Sequence, residues 1–128
     1  FALEEGNLLR AQGHNAEAAA VYTRVFEAGR EGRYPSLHYE LAALSLGDVL
    51  RSQKDYRGAV AAYLDVESVK DADPEYRQRA AMSAGQMYDG LSNRAYAVKE
   101  YQSVIALDSK SPQADAARKC LQNPCPDH

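Results

Sequence analysis

The chain has 128 residues, 45% of them hydrophobic and 26% charged, with a net charge of −3 and a pI near 5.6. That is the size and composition of one small soluble domain, and the acidic balance lacks the basic footprint of a nucleic-acid binder. No apolar run approaches the roughly 18 residues that cross a bilayer, so membrane insertion is not expected, and abundant alanine with only two Phe and no Trp suits stacked helices better than sheets.

In chain order, Ala2 to about Gln12 reads as a first helix, followed by a turn at Gly13-His14-Asn15 in which Asn15 caps a second helix running to about Ala28. The segment 29–36, with two glycines and a proline, breaks that helix, and Gly29 falls where a left-handed terminal residue is wanted. Helix three spans about Leu37 to Gln53 and helix four about Tyr56 to Val69. Asp73, with Pro74 behind it, caps helix five, which runs to about Gly90, and helix six runs from about Arg94 to Leu107. Ser111-Pro112 opens a seventh helix by the same logic, and Ala114, Ala117 and Leu121 give it the narrow apolar stripe that covers the open end of a helical stack. Two prolines make the remaining residues a loop. The chain starts at Phe1 already inside a helical pattern, with no initiator Met and no signal peptide, which predicts a piece of a longer protein or a processed product.

Three hairpins share one skeleton. Gly6, Ala18, Tyr22 and Val25 form the first copy, Gly47, Ala59, Tyr63 and Val66 the second, and Gly85, Ala97, Tyr101 and Val104 the third. Glycine to alanine is 12 residues in every copy, alanine to tyrosine 4 and tyrosine to valine 3, so the chain is a stack of helical hairpins. A glycine inside a helix costs about 1 kcal/mol relative to alanine, and its recurrence at one place calls for a packing reason: two helices approach there. The tyrosine and valine continue the alanine's stripe and are expected to fill the space toward the next hairpin, with a partner for each phenol.

A small and a large apolar residue in one helix, then alanine, aromatic and small apolar in the next, resembles the tetratricopeptide repeat over nearly the whole chain. The resemblance implies an all-α fold, a right-handed superhelical solenoid of antiparallel helix hairpins (an α-α superhelix) with about seven helices. Residues 1–123 would be one domain, with repeats at about 1–30, 37–70 and 75–108, a capping helix at 112–122, and a tail at 124–128. Two features depart from the family. Ala2, Ala43 and Ala81 stand where an aromatic usually opens the first helix, and the periods of 41 and 38 residues exceed the family's 34. Long loops between hairpins, followed by proline, resemble the bacterial envelope-associated branch of the family. That branch and the two cysteines lean toward a bacterial exported or periplasmic protein, while the acidic, alanine-rich composition fits a bacterial cytoplasm equally well.

Little in the sequence carries chemistry. Cys120 and Cys125 can close a local disulfide if the tail folds back, which would fit an oxidising compartment, or can stay as two free thiols. With His128 they make three zinc-type ligands at a spacing unlike the common zinc sites. His14 and His38 have no nucleophile or carboxylate at a meaningful spacing and read as surface or capping residues. Glu4-Glu5 and Asp71-Asp73 read as helix-start charges. No glycine-rich phosphate loop and no nucleophile or metalloprotease motif is present. No catalytic residue, cofactor or metal is therefore expected.

The concave face remains. In tetratricopeptide proteins the first helices line a groove that takes a peptide or a partner helix, and the register carries this over residue by residue. Three positions before the glycine stand Leu3, Leu44 and Met82, one position after it Asn7, Asp48 and Gln86, and four after it Arg10, Arg51 and Asp89. All share one helix face. The arginines could hold a carboxylate bidentately, or pair within the face, Arg51 with Asp48 or Asp89. The clamp of chaperone-adaptor members is not expected, because Leu3 replaces its lysine and Ser45 its second asparagine, with only Asn7 in place. The resulting expectation is a non-catalytic scaffold for a protein or peptide partner. The alternative is an accessory or oligomerisation domain of a larger protein, such as an enzyme with its catalytic domain upstream, packing through the edge from Phe1 to Leu8. A small enzyme in its own right, relying on the histidines, ranks below both.

Overall fold

A computed structural model describes residues 2–33 and 38–126. The described residues form seven helices and no strand: α1 (Ala2–Ala11), α2 (Asn15–Arg30), α3 (Glu40–Ser52), α4 (Tyr56–Ser68), α5 (Pro74–Gly90), α6 (Arg94–Leu107) and α7 (Pro112–Gln122). Each helix packs on the one before and the one after it. In addition α3 touches α5, and α5 touches α7. The chain is thus an all-α, solenoid-like succession of hairpins in which α3, α5 and α7 lie in a row. Among the described residues no helix is long and apolar enough to cross a membrane.

The packing reason for the three glycines is the tyrosine. Tyr22, Tyr63 and Tyr101 are fully buried, and each ring lies over the glycine of its own hairpin. A methyl group at Gly6, Gly47 or Gly85 would come within 2.6, 2.5 or 2.4 Å of the ring edge of Tyr22, Tyr63 or Tyr101 respectively. The expected reach toward the next hairpin is therefore only half of the tyrosine's part. Tyr22 does share a buried cluster with Val49 of α3, but its ring is seated on α1.

The three hairpin turns are also copies. Gly13, Lys54 and Ser92, each seven residues after its glycine, take the left-handed conformation at φ of 82°, 65° and 59°. Each donates its N–H to the carbonyl three residues back, and the following N–H bonds to the carbonyl five residues back, at Leu9, Leu50 and Tyr88. This closes the last turn of the first helix. The next residue is the cap of the second helix: Asp55 accepts from the Gly58 N–H and Asn93 from the Tyr96 N–H. In the first hairpin that position is His14, which makes no side-chain cap bond. The expectation that Asn15 caps α2 is corrected, since the turn geometry fixes the cap one residue earlier and Asn15 is already helical.

Asp73 and Ser111 cap α5 and α7 as expected, accepting from the N–H groups of Glu75 and Ala114. Gly29 does not end α2. The helix continues to Arg30 and the left-handed residue is Gly32, at φ 83°. Gly29 is instead a second close-approach glycine, where an added Cβ would fall 2.2 Å from the Cβ of Tyr39. Tyr39 packs there at the entry to α3, its ring 5.7 Å from that of Phe26. Helix α3 accordingly begins at Glu40, later than the expected Leu37, which lies outside the described residues together with part of the expected break.

Two buried polar side chains lock one hairpin to the next. Glu40 and Gln78 both stand seven residues before a skeleton glycine. Glu40 accepts from the N–H of Asp73, the cap of α5, at 2.7 Å, and lies 3.3 Å from His38 Nδ1. Gln78 bonds the carbonyls of Val104 and Asp108 at 3.0 and 3.1 Å, and the hydroxyl of Ser111, the cap of α7, at 2.5 Å. In both hairpins the reach is the same 33 residues along the chain.

Candidate functional site

The polar face of α1, α3 and α5 is built on the three tyrosines. Tyr22 donates its phenol proton to Asn7 Oδ1 at 2.5 Å, Tyr63 to Asp48 Oδ1 at 2.6 Å and Tyr101 to Asp89 Oδ2 at 2.7 Å. Burial, then the neighbouring carboxylates, push the pKa values of Tyr63 and Tyr101 upward, and burial first raises that of Tyr22. Each phenol therefore stays protonated and keeps its acceptor in one place. In the first two hairpins the acceptor is the residue after the glycine. In the third that position is Gln86, an amide left free to serve another partner, and Asp89 one turn later receives the phenol.

The partner of Gln86 is Arg51, which donates to its Oε1 at 3.0 Å and lies 3.5 Å from Ser83 Oγ. An arginine four residues after one glycine thus reaches the residue after the next glycine, tying α3 to α5 across the face. Arg10, its equivalent in α1, stands beside the Tyr22 phenol and opposes the rise in its pKa. Asp89 is engaged at the far end of the face. Its carboxylate takes both a bidentate contact from Arg94 Nη1, at 3.2 and 3.1 Å, and the N–H of Cys125 at 2.8 Å.

Of the nine residues expected on the groove, the structure therefore brings Asp48, Arg51 and Gln86 together at the junction of α3 and α5, with Asn7 and Arg10 exposed on α1. Leu3 and Met82 are half-buried against the core clusters. Leu44 is 2% exposed and belongs to the core, and Asp89 is only 9% exposed. The apolar edge of the face is correspondingly thin.

Cys120 and Cys125 are joined in a disulfide, with Cα atoms 5.4 Å apart, so neither is available as a metal ligand, and His128 lies outside the described residues. Among the described residues no three His, Cys, Asp or Glu side chains gather closely enough to hold a metal ion. His14 faces Glu17 at 3.8 Å.

One titratable cluster had no signal in the sequence. Glu67, Arg77, Ser103, Ala106 and Leu107 line a cleft of about 300 Å³ between α4, α5 and α6. Burial, and then Glu100, raise the Glu67 carboxyl to about 8, and burial also raises Glu100. One oxygen of each carboxyl is buried without a hydrogen-bond partner, and a proton held between the two groups meets that need. Arg77, on the same cleft, opposes the rise at Glu67 and gives Nη2 to the carbonyls of Val69 and Lys70. Ser103 on the cleft wall gives its hydroxyl proton to the Lys99 carbonyl, and the carboxyl pair reads as a packing feature between α4 and α6.

The chain matches no known protein family and no curated protein.

Proposed function

We propose that this chain is a non-catalytic scaffold of the tetratricopeptide type, and that its inner face, on α1, α3 and α5, holds a peptide or helix of a partner protein. The observation that carries this reading is the row Asn7, Asp48, Arg51 and Gln86. These polar groups are set in repeat register on first helices, Asn7 and Asp48 held by buried tyrosines and Arg51 and Gln86 by each other, and Arg10 continues the row on α1. Side chains fixed in advance lose little freedom on binding, which favours recognition. The arginines suit a partner carrying carboxylates.

The test is a pull-down from source-organism lysate with the intact chain and with a variant carrying Arg10→Glu and Arg51→Glu, after circular dichroism has established that the variant is folded. A partner retained by the intact chain and lost by the variant supports the reading. A partner kept equally by both refutes the groove assignment.

A second reading, an accessory or oligomerisation domain, is favoured by Leu8, which is 60% exposed on α1. Concentration-dependent association abolished by Leu8→Glu would support it, and a monomer at every concentration would count against self-association.

A further inference from the structure

The end of the inner face is occupied by the chain's own tail. In the first two hairpins the residue four after the glycine is an arginine, and Arg51 uses that position to reach the next hairpin. The third hairpin has no following first helix of the same kind, and Asp89 stands there instead. Its Oδ2 accepts the backbone N–H of Cys125 at 2.8 Å. Arg94 holds the other side of the same junction, with Nη1 on Asp89 and Nη2 on the carbonyls of Cys120 and Leu121 at 2.7 and 3.0 Å. Residues 123–126 have no helix of their own. Asn123 still gives its N–H to the Lys119 carbonyl, and beyond it the tail is held at Cys125, by the hydrogen bond to Asp89, by packing against the buried cluster around Tyr101 and Ala117, and by the disulfide to Cys120. Without the covalent tie, these non-covalent contacts at one residue must by themselves offset the entropy lost in ordering the whole loop.

We propose that the tail is a redox-gated plug. The Cys120–Cys125 bond holds residues 123–126 on Asp89, and reduction by a dithiol releases them and opens this end of the inner face. Cys120 is buried and Cys125 is the more accessible of the two sulfurs. A thiolate of the dithiol attacks Cys125 Sγ, the disulfide breaks, and Cys120 leaves as thiolate and takes a proton. The second thiolate of the reductant then displaces Cys125, which leaves as a thiol. Two electrons and two protons pass to the protein and the reductant becomes a cyclic disulfide. Asp89 Oδ2 then loses one of its three donors, Tyr101 and Arg94 remaining, and the place of the Cys125 N–H is left for a backbone N–H of an extended segment. The inference does not depend on the partner reading, because the plug is defined by the chain's own contacts.

The test uses the full chain, oxidised and after dithiothreitol, with two readouts: amide hydrogen exchange at residue 125, and labelling of Asp89 by a water-soluble carbodiimide. Cys125→Ser is measured beside them, because it deletes the bond and keeps the backbone donor. The expected result is a residue-125 amide protected in the oxidised protein, with protection falling at least ten-fold on reduction and in the variant, Asp89 labelling rising several-fold, and α6 amides unchanged. Equal protection with the bond cut would overturn the proposal, as would an unprotected amide in the oxidised protein or unchanged Asp89 labelling. If the variant does not fold, the reduced wild type decides by the same criteria.

Discussion

Gly47→Ala should destabilise the protein, although alanine is the better helix former by about 1 kcal/mol. The added methyl would stand 2.5, 2.7 and 2.8 Å from three carbons of the Tyr63 ring, well inside contact distance. The ring cannot step aside, for it is fully buried and its hydroxyl is bonded to Asp48. Overpacking of this kind costs about 1–3 kcal/mol, and a displaced phenol also weakens a hydrogen bond to a charged group worth about 1.5–3 kcal/mol. Set against the helix-propensity gain, the net loss should be about 2–3 kcal/mol. The decisive comparison is Gly47→Ala in a Tyr63→Ala background. With the ring gone the three nearest atoms go with it, so the same substitution should change sign and stabilise by about 1 kcal/mol. Urea unfolding of the four proteins gives the coupling directly, with the midpoint moving at constant slope. If Tyr63→Ala leaves too little fold to measure, the Gly6 and Tyr22 pair of the first hairpin offers the same cycle at 2.6 Å. Equal destabilisation by the glycine substitution in both backgrounds would refute the reasoning that the ring is why the glycine is there.

Other outcomes follow from single contacts. His14→Asn should stabilise by about 0.5–1 kcal/mol, read as a rise in Tm, because it supplies the cap that Asn93 provides in the third hairpin and His14 does not; an unchanged Tm would reject the cap register. Gln78→Ala should cost about 1–3 kcal/mol, since it removes the buried amide that bonds Val104, Asp108 and Ser111 and leaves these acceptors only their local donors at Asp108, Ser111 and Ala114, whereas Glu40→Gln should be mild because an amide oxygen can still accept from Asp73. Glu67 has a folded pKa of about 8, raised by burial and then by Glu100 above the ordinary 4.5. The folded state keeps a proton that the unfolded chain gives up, so the stability is full below about 4.5 and is lost as pH rises through 8. The cleft is open to water and screening reduces the effect to about 2 kcal/mol. Urea midpoints at about pH 5, 7 and 9 should fall for the wild type and flatten for Glu67→Gln; parallel profiles would refute the assignment.

Local signals were legible in the sequence wherever one helix or one hairpin decides the outcome. The caps at Asp73 and Ser111 and the bounds of α5 and α6 follow from residue type and 3.6-residue periodicity. The failures are also local in origin. Asn15 is a good cap residue by type, but the left-handed turn at Gly13 places the cap at His14. Gly29 looks like a helix end because glycine often is one, while its missing Cβ serves Tyr39. On the candidate site, helix-face register placed Asp48, Arg51 and Gln86 on neighbouring first helices, and it could not show that Leu44 faces the core.

The sequence by itself determined that this chain is a run of helical hairpins in one register, because the glycine, alanine, tyrosine and valine spacings act within 20 residues and hold in all three copies. The tertiary structure alone decided how the hairpins are joined. Arg51 meets Gln86, Glu40 meets Asp73, Gln78 meets Ser111 and Cys125 meets Asp89 across 33 to 36 residues. Such meetings depend on the angle and offset at which one hairpin stacks on the next, and that is set by the summed packing of many side chains, which no short-range spacing records.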